Sequence, residues 1–450
     1  MMVVLWTDAL IYLLVATGTV MIWSLSRQRA LRRPLRQLAR NPIAMVSLTV
    51  LVCFALLGLA DSIHFRDDGN NVISLLDVAC HAMRDSTEKT YSAPFATHLY
   101  ARETIILADG STRWDFPRLQ HGGAHLTDPE SQWAGDVFYK SLGAFLRGAG
   151  LMAMIGFLAW ADGHEQRRRF LRSPSAKAVF ACLCIIVSVT YTLFALSAHY
   201  HVLGTDKVGE DVFYQALKSI RTGLVIGLLT TLVMLPLAIV FGIMAGFFKG
   251  WVDDIIQFIY TTLNSIPSVL LIAASILMVQ VYMANHPDDF DNVLVRADIR
   301  LLFLCLILGV TSWTGLCRLL RAETLKLREM EYVQAAQALG VTPATTLFRH
   351  ILPNVMHIVL ISVVLDFSSL VLAEAVLSYI NIGVDPTTYS WGNMINSARL
   401  EMAREPVVWW SLTAAFVFMF ALVLAANLFA DAVRDAFDPR RADNTANIAR

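Results

Sequence analysis

Apolar runs of about twenty residues fill this chain and limit what it can fold into. The hydrocarbon core of a bilayer is about 30 Å thick, and a helix rises about 1.5 Å per residue, so roughly 20 apolar residues span it. Nine runs are of about that length: 2–24, 43–61, 140–160, 178–198, 220–248, 255–283, 300–317, 355–380 and 407–430. They are continuous rather than alternating at every second residue, which indicates helices and not a membrane barrel. Gly143, Gly148, Gly150 and Gly156 dilute the third run. The first run is not an ordinary signal peptide: it has no cationic start, carries Asp8, and is followed by no small-residue cleavage site. The expected fold is an all-α polytopic membrane protein with about nine transmembrane helices.

Charge adds little as a sum and much as a distribution. Of the 450 residues, 56% are hydrophobic and 16% charged, with Lys plus Arg and Asp plus Glu at 36 each. That balance excludes a disordered chain, makes a soluble multidomain enzyme a poor fit, and argues against a nucleic-acid partner. Cytoplasmic loops of membrane proteins are rich in Lys and Arg. Arg27, Arg29, Arg32, Arg33, Arg36 and Arg40 follow the first run; Arg167, Arg168, Arg169, Arg172 and Lys177 follow the third; Arg318, Arg321, Lys326, Arg328 and Arg349 follow the seventh. Placing these three stretches inside puts the N-terminus outside. It puts the C-terminal tail, with Arg434, Arg440 and Arg441, in the cytoplasm. The segment 62–139 is then an extracytoplasmic insert, long enough for a small α+β or β domain. Tyr91, Phe95, Tyr100, Ile105, Ile106, Leu107, Trp114 and Phe116 are its candidate core, and Thr104 to Trp114, with Asp109-Gly110 between apolar residues, reads as a β-hairpin. Five of the six cysteines sit in apolar runs and only Cys80 in a polar one; all six read as small hydrophobes.

The stretch between the seventh and eighth runs carries the most information. Residues 321–339 are rich in the helix formers Glu, Leu, Lys, Ala and Gln. Gly340 stands where a helix stops in left-handed geometry, Thr342-Pro343 suits an N-cap followed by proline at the first helical position, and Pro353 precedes the next span. Two short helices joined at a glycine are expected. Ala335 and Ala336 leave a surface bare enough for close approach of a partner.

This loop resembles the cytoplasmic signature loop of ABC-importer permeases: Glu-Ala-Ala, three residues, Gly, nine residues, Ile, one residue, Leu-Pro. Gln334-Ala335-Ala336, Gly340 and Leu352-Pro353 fall at that spacing, while Gln334 replaces the Glu and His350 the Ile. The His350-Ile-Leu-Pro-Asn354 ending resembles the dipeptide, oligopeptide and nickel branch. So do Leu203-Gly-Thr-Asp-Lys-Val-Gly-Glu-Asp-Val212 (with Lys207 and Glu210 departing in charge), Gly246–Asp253, Ser390–Met394, Asn427–Arg440, and the amphipathic start Pro34–Pro42 with its following span. The resemblance covers about 31–61 and 199–441, leaving 1–24 and 62–198 as additions to a six-span pattern. The implied organisation is two spans with a basic linker (1–61), the insert (62–139), two additional spans (140–198), a permease core (199–441) and a tail (442–450).

The resemblance implies a permease subunit in a bacterial inner membrane, carrying peptides or a related solute such as a nickel complex. It implies a heterodimer with a second permease, two ABC ATPase subunits and an extracytoplasmic substrate-binding protein, with lipid around the spans. Glu331, Gln334, Ala335, Ala336, Gly340, Leu352 and Pro353 would couple to the ATPases. ATP and magnesium would bind those subunits: no Gly-x4-Gly-Lys-Ser/Thr occurs in this chain, so no cofactor, metal or catalytic residue is expected on it.

Other residues invite weaker readings. Asp366 and Glu374 lie in the eighth run, where an ionisable group is costly and marks function by default; with Pro267, expected to kink the sixth run, they are candidates for the translocation path. His199 and His201 flank Tyr200 at an outer helix end, and His121 and His125 are four apart, a spacing that on a helix invites a metal reading. Gly122 and Gly123 argue against a helix at the second pair, so solvated or interfacial histidines fit better. His164-Glu165 begins a metalloprotease pattern that Arg168 breaks. An ion-gradient-driven secondary transporter is the alternative, and it would need an inverted repeat with broken helices, which the sequence lacks. A membrane enzyme would need a clustered catalytic set in 62–139, where Asp, Glu and His are scattered.

Overall fold

A computed structural model describes residues 2–27, 32–66, 72–106, 112–161, 173–287 and 293–437. The Asp109-Gly110 turn, the 167–172 arginines, His164-Glu165 and the 442–450 tail lie outside the described residues. Seven helices among those described are long and apolar enough to cross a membrane: Pro42–Asp61, Pro129–Leu158, Pro174–Ser197, Val212–Phe248, Ser268–Asn285, Pro343–Tyr379 and Trp410–Phe437. The first apolar run forms the helix Trp6–Arg27. The run 300–317 divides between helices Val293–Ser312 and Thr314–Arg328, and the former carries Arg296, Asp298 and Arg300. The sixth run also departs from expectation. Instead of one kinked helix it forms Gly250–Ser265 and Ser268–Asn285, because Pro267 supplies no N–H and pushes Ile266 to extended geometry (φ −93°, ψ 132°).

The chain divides into two compact units. One comprises residues 1–3, 35–222 and 389–428. Its membrane helices Pro129–Ala161 and Pro174–Ser197 pack closely. At their crossing a Cβ on Gly148 would lie 2.8 Å from Ser188 Cα, so the glycine that dilutes the apolar run is what lets the backbones meet. The 62–139 insert belongs to this unit; its strands His64–Arg66 and Val72–Ser74 pair antiparallel, and Met2–Val3 adds antiparallel to His64–Arg66. The expected hairpin is present, with Glu103–Ile106 paired to Thr112–Asp115.

The expected core of the insert is met only in part: Tyr91 is buried, and Phe95, Tyr100 and Ile105 are half-buried. Leu76, Cys80, Met83, Tyr91, Leu99, Leu119 and Leu126 are buried, whereas Trp114 is 65% and Phe116 38% exposed. Cys80 is buried at the junction between the short helices Leu75–Ala79 and His81–Asp85, and burial pushes its thiol up to about 12.

Buried polar contacts hold the insert to the segment before the Val212–Phe248 helix. Thr205 N–H donates to Ser92 O (3.1 Å), Ser92 N–H to Thr205 Oγ1 (2.7 Å), and Glu88 N–H to Gly209 O (2.9 Å). His201 Nδ1 lies 2.8 Å from Asp211 Oδ2, and its Nε2 lies 3.5 Å from Glu88 Oε1, within ion-pair range but outside hydrogen-bond geometry. Burial alone would lower the His201 pKa; Asp211 and Glu88 reverse this and raise it to about 9. Burial likewise opposes ionisation of Glu88, but His201 and the N–H groups of Gln120, His121 and Gly122 bring it to about 2. Lys218 Nζ reaches Asp61 (2.6 Å) and Asp77 (2.8 Å), and Tyr214 donates to Asp77 (2.7 Å). The four histidines singled out by spacing thus gather at one junction. His201 is an ion-pair centre, His121 offers a backbone donor, and the His125 and His199 rings lie 4.9 Å apart.

The second unit comprises residues 4–34, 223–388 and 429–450. Trp6–Arg27 packs on Val293–Ser312, and Thr7 donates to the Asp298 carboxylate through its N–H (3.2 Å) and its hydroxyl. The core nearest the signature loop joins Met234, Ala238, Trp313, Leu316, Cys317, Leu320, Ile351, Val355 and Val359.

Candidate functional site: the signature loop and its anchor

Helix Glu331–Ala338 ends as its sequence predicts. Leu339 is the C-cap and Gly340 takes φ +78°. Val341 N–H donates to Ala336 O and Gly340 N–H to Gln337 O, each at 3.0 Å, which together form a Schellman closure. Thr342 then caps the helix Pro343–Thr346, its hydroxyl accepting from Thr345 N–H. Val333 and Ala336, three apart, are buried; Glu331, Gln334, Ala335, Gln337 and Ala338 are exposed, and Leu339 is 83% exposed. The paired alanines therefore part company: Ala336 packs inward and Ala335 outward. The expected contact Glu at position 334 is Gln, and its side chain hydrogen-bonds Glu329, which also pairs with Lys249 (3.0 Å).

Three features fix the loop to the membrane helices of its unit. First, the backbone opens into a π-turn at Leu347–Ile351, where Leu352 N–H reaches back to Leu347 O. Pro353, at the start of the helix Leu352–Tyr379, brings no donor to the ladder there. Asn354 Nδ2 donates to His350 O (2.6 Å) and to the Tyr332 hydroxyl (3.0 Å), joining the signature helix to the foot of that span. Second, Arg321 makes a two-point contact with Asp253, Nε and Nη2 each 2.6 Å from an oxygen, linking Thr314–Arg328 to Gly250–Ser265. The guanidinium holds the Asp253 carboxyl below its usual range. Third, Arg328 Nη1 donates to Phe247 O (2.7 Å), a carbonyl left over where Val212–Phe248 ends and Lys249 and Gly250 turn through positive φ. Tyr332 carried no signal in the sequence; Arg321 was named only among the inner-loop bases, and Asn354 and Asp253 only as the ends of matched motifs.

The path candidates are not brought together as one cluster. Glu374 is buried in Leu352–Tyr379 and accepts from Ser378 Oγ (2.7 Å). Asp366 is half-buried eight residues earlier on the same helix, and Pro267 is exposed at the break between two others.

A multi-pass permease is the class these features define. Residues 238–443 match the model for a binding-protein-dependent transport system inner membrane component. The glutathione transport system permease protein GsiD of Pectobacterium atrosepticum is 29% identical over 294 residues, 61% of this chain and 89% of the relative. The oligopeptide transport system permease protein OppC of Mycobacterium bovis is 30% identical over 288 residues (60% and 92%). The dipeptide transport system permease protein DppC of Lactococcus lactis subsp. cremoris is 29% identical over 244 residues (54% and 65%). The chain belongs to the family of binding-protein-dependent transport system inner membrane components. It is the translocation subunit of an ABC importer.

Proposed function

We propose that this chain pairs with a second permease to form a path for peptides, or for a related small solute such as a nickel complex. Two separate ATPase subunits drive it, with ATP and magnesium bound on them, and an extracytoplasmic binding protein delivers the solute. Glu331, Gln334, Ala335 and Leu339 present the docking surface to the ATPase; Ala336, Gly340, Leu352 and Pro353 hold that surface in shape. The N-terminus lies outside and the signature loop and C-terminus in the cytoplasm, in line with the distribution of Arg and Lys. The antiparallel pairing of Met2–Val3 with His64–Arg66 in the insert is in keeping with this. The observation that carries the reading is a short helix with a bare outward face, closed at Gly340 and tied through Tyr332 and Asn354 to a membrane span. Such a helix fits a groove in a partner, and closure of the ATPases on ATP would act on the span through that tie.

The test is co-purification of the tagged chain with a P-loop ATPase, followed by reconstitution. Uptake should require ATP and the ATPase subunits. Solute uptake by the pure chain on an ion gradient alone would overturn the reading in favour of a secondary transporter.

A further inference from the structure

Leu352–Tyr379 carries two acids with opposite environments. Glu374 is buried and its carboxylate accepts a hydrogen bond from Ser378. Asp366 lies 14 residues from one end of the helix and 13 from the other, about 20 Å from each at 1.5 Å per residue, and so near the middle of the bilayer. Among the described residues nothing hydrogen-bonds or ion-pairs its carboxylate; Ser369 donates only to the Asp366 backbone carbonyl.

Burial along the helix shows which way Asp366 faces. Leu365, Ser369, Leu372, Val376 and Tyr379 are exposed and recur at four- and three-residue steps, so they form one uncovered stripe. Asp366 sits beside it with Ser369. A carboxylate turned to lipid at this depth is disfavoured by several kcal/mol, and charges in spans face a polar interior or a water-filled space. The stripe itself is mostly apolar, so it is the edge carrying Asp366 and Ser369 that this cost turns toward a polar space and not the hydrocarbon. A bare carboxylate there, with no base beside it among the described residues, is complementary to an ammonium.

We propose that Asp366 is a cation-binding subsite of the translocation path, taking the ammonium group of an amine-bearing solute such as the free N-terminus of a peptide. This rests on the permease reading above and adds to it a chemical class of solute.

Two measurements on the complete transporter in proteoliposomes test it. In the first, a thiol is introduced by Ser369→Cys, and its modification by methanethiosulfonate ethylammonium and by methanethiosulfonate ethylsulfonate is compared, with the unsubstituted chain as background. The cationic reagent should react at least tenfold faster relative to the anionic one, and Asp366→Asn should erase that ratio. Failure of both reagents to react, or an unchanged ratio in Asp366→Asn, overturns the proposal. In the second, uptake of trialanine is compared with that of N-acetyl-trialanine. Asp366→Asn should lower trialanine uptake at least tenfold and leave the acetylated peptide unchanged, while Asp366→Glu keeps the wild-type preference. Equal loss of both peptides in both variants would make Asp366 structural and overturn the proposal. If wild-type complexes carry no peptide at all, the peptide reading falls, yet the reagent ratio still decides whether Asp366 attracts cations.

Discussion

Substitutions at Gly340 separate backbone strain from bulk in the signature loop. Gly340 sits at φ +78° and closes the turn between Glu331–Ala338 and Pro343–Thr346. A Cβ built there meets no heavy atom within 4 Å, so size alone is no obstacle. What remains is the left-handed backbone, which costs an L-residue about 1–2 kcal/mol, a factor of about five to thirty in an equilibrium. Nothing packs over the glycine to hold the turn against that cost, so the cost falls on the Schellman closure that presents Leu339. Gly340→Asn should stay within a few-fold of wild type, because Asn tolerates this region. Gly340→Ala should weaken ATPase capture five- to thirtyfold, and Gly340→Val more, since β-branching adds strain. The assay is titration of purified ATPase onto the chain in nanodiscs, with membrane insertion scored separately and expected to be unchanged. The discriminating pair is Val and Leu. If Leu is clearly worse than Val, bulk against a partner governs the site and the strain argument is refuted.

Two further outcomes follow from charge. The folded-state pKa of His201 is raised to about 9, so its contribution is fully present below the ordinary value near 6.5 and is lost as pH rises through 9; that of Glu88, lowered to about 2, is present above about 4.5 and is lost as pH falls toward 2. Thermal unfolding of the solubilised chain should therefore show a plateau between about pH 4.5 and 6.5 and a decline on the alkaline side. His201→Gln should flatten that decline, and an unchanged alkaline slope in the variant would exclude His201 as its source. Arg321→Ala should destabilise the chain by about 2 kcal/mol, less than the 3–5 kcal/mol typical of a fully buried pair because Arg321 keeps contact with solvent. The double variant with Asp253→Ala should recover part of the loss in urea unfolding.

The signature loop was legible because its determinants are local. A glycine at C′, Thr-Pro at an N-cap and a Leu-Pro before a span each act within a few residues, and each appears where the sequence places it. The apolar runs were legible for the same reason, as lengths. The break at Ile266–Pro267 carries a proline and the polar residues Thr261, Thr262, Asn264, Ser265 and Ser268; counted only as length the run passes through them, and length does not separate a kink from a new helix. The insert's core was misread because apolar character alone does not say which side a residue faces. Trp114 lies on, and Phe116 just after, a hairpin strand that is exposed on both faces, while Cys80, in a polar stretch, is buried at the junction of two short helices whose Leu76 and Met83 are buried with it. Tyr332 and Asn354 meet across 22 residues and Arg321 and Asp253 across 68. No periodicity in the sequence relates such positions.

The contacts around residues 201–218 bear on whether 62–139 is a removable addition. Within the 203–212 motif, Lys207 and Glu210 are the two residues read from sequence as departing in charge. Both take part in contacts here: the Lys207 carbonyl accepts from Thr90 Oγ1 (3.4 Å), and Glu210 accepts from Gln215 (3.1 Å) and Tyr389 (3.3 Å). Removing 62–139 would take Glu88 from His201, Asp77 from Lys218, and Ser92 from Thr205, all buried except the half-buried Lys218. Asp61 and Asp211 would remain, so each cation keeps one partner and loses the other. A buried group stripped of a partner costs about 1–3 kcal/mol, more when charged, and three such losses are a large part of the 5–15 kcal/mol typical of a domain. Deletion of 62–139 should therefore yield a chain that inserts but unfolds at markedly lower temperature in detergent, even before transport is measured. Adding Lys218→Met to the deletion should lower the stability further, because it leaves the buried Asp61 carboxylate with neither Lys218 nor Ser74. A deleted chain that is monodisperse and melts at the wild-type temperature would show that the insert is only appended, and that the ion pairs at its base contribute nothing to holding the core.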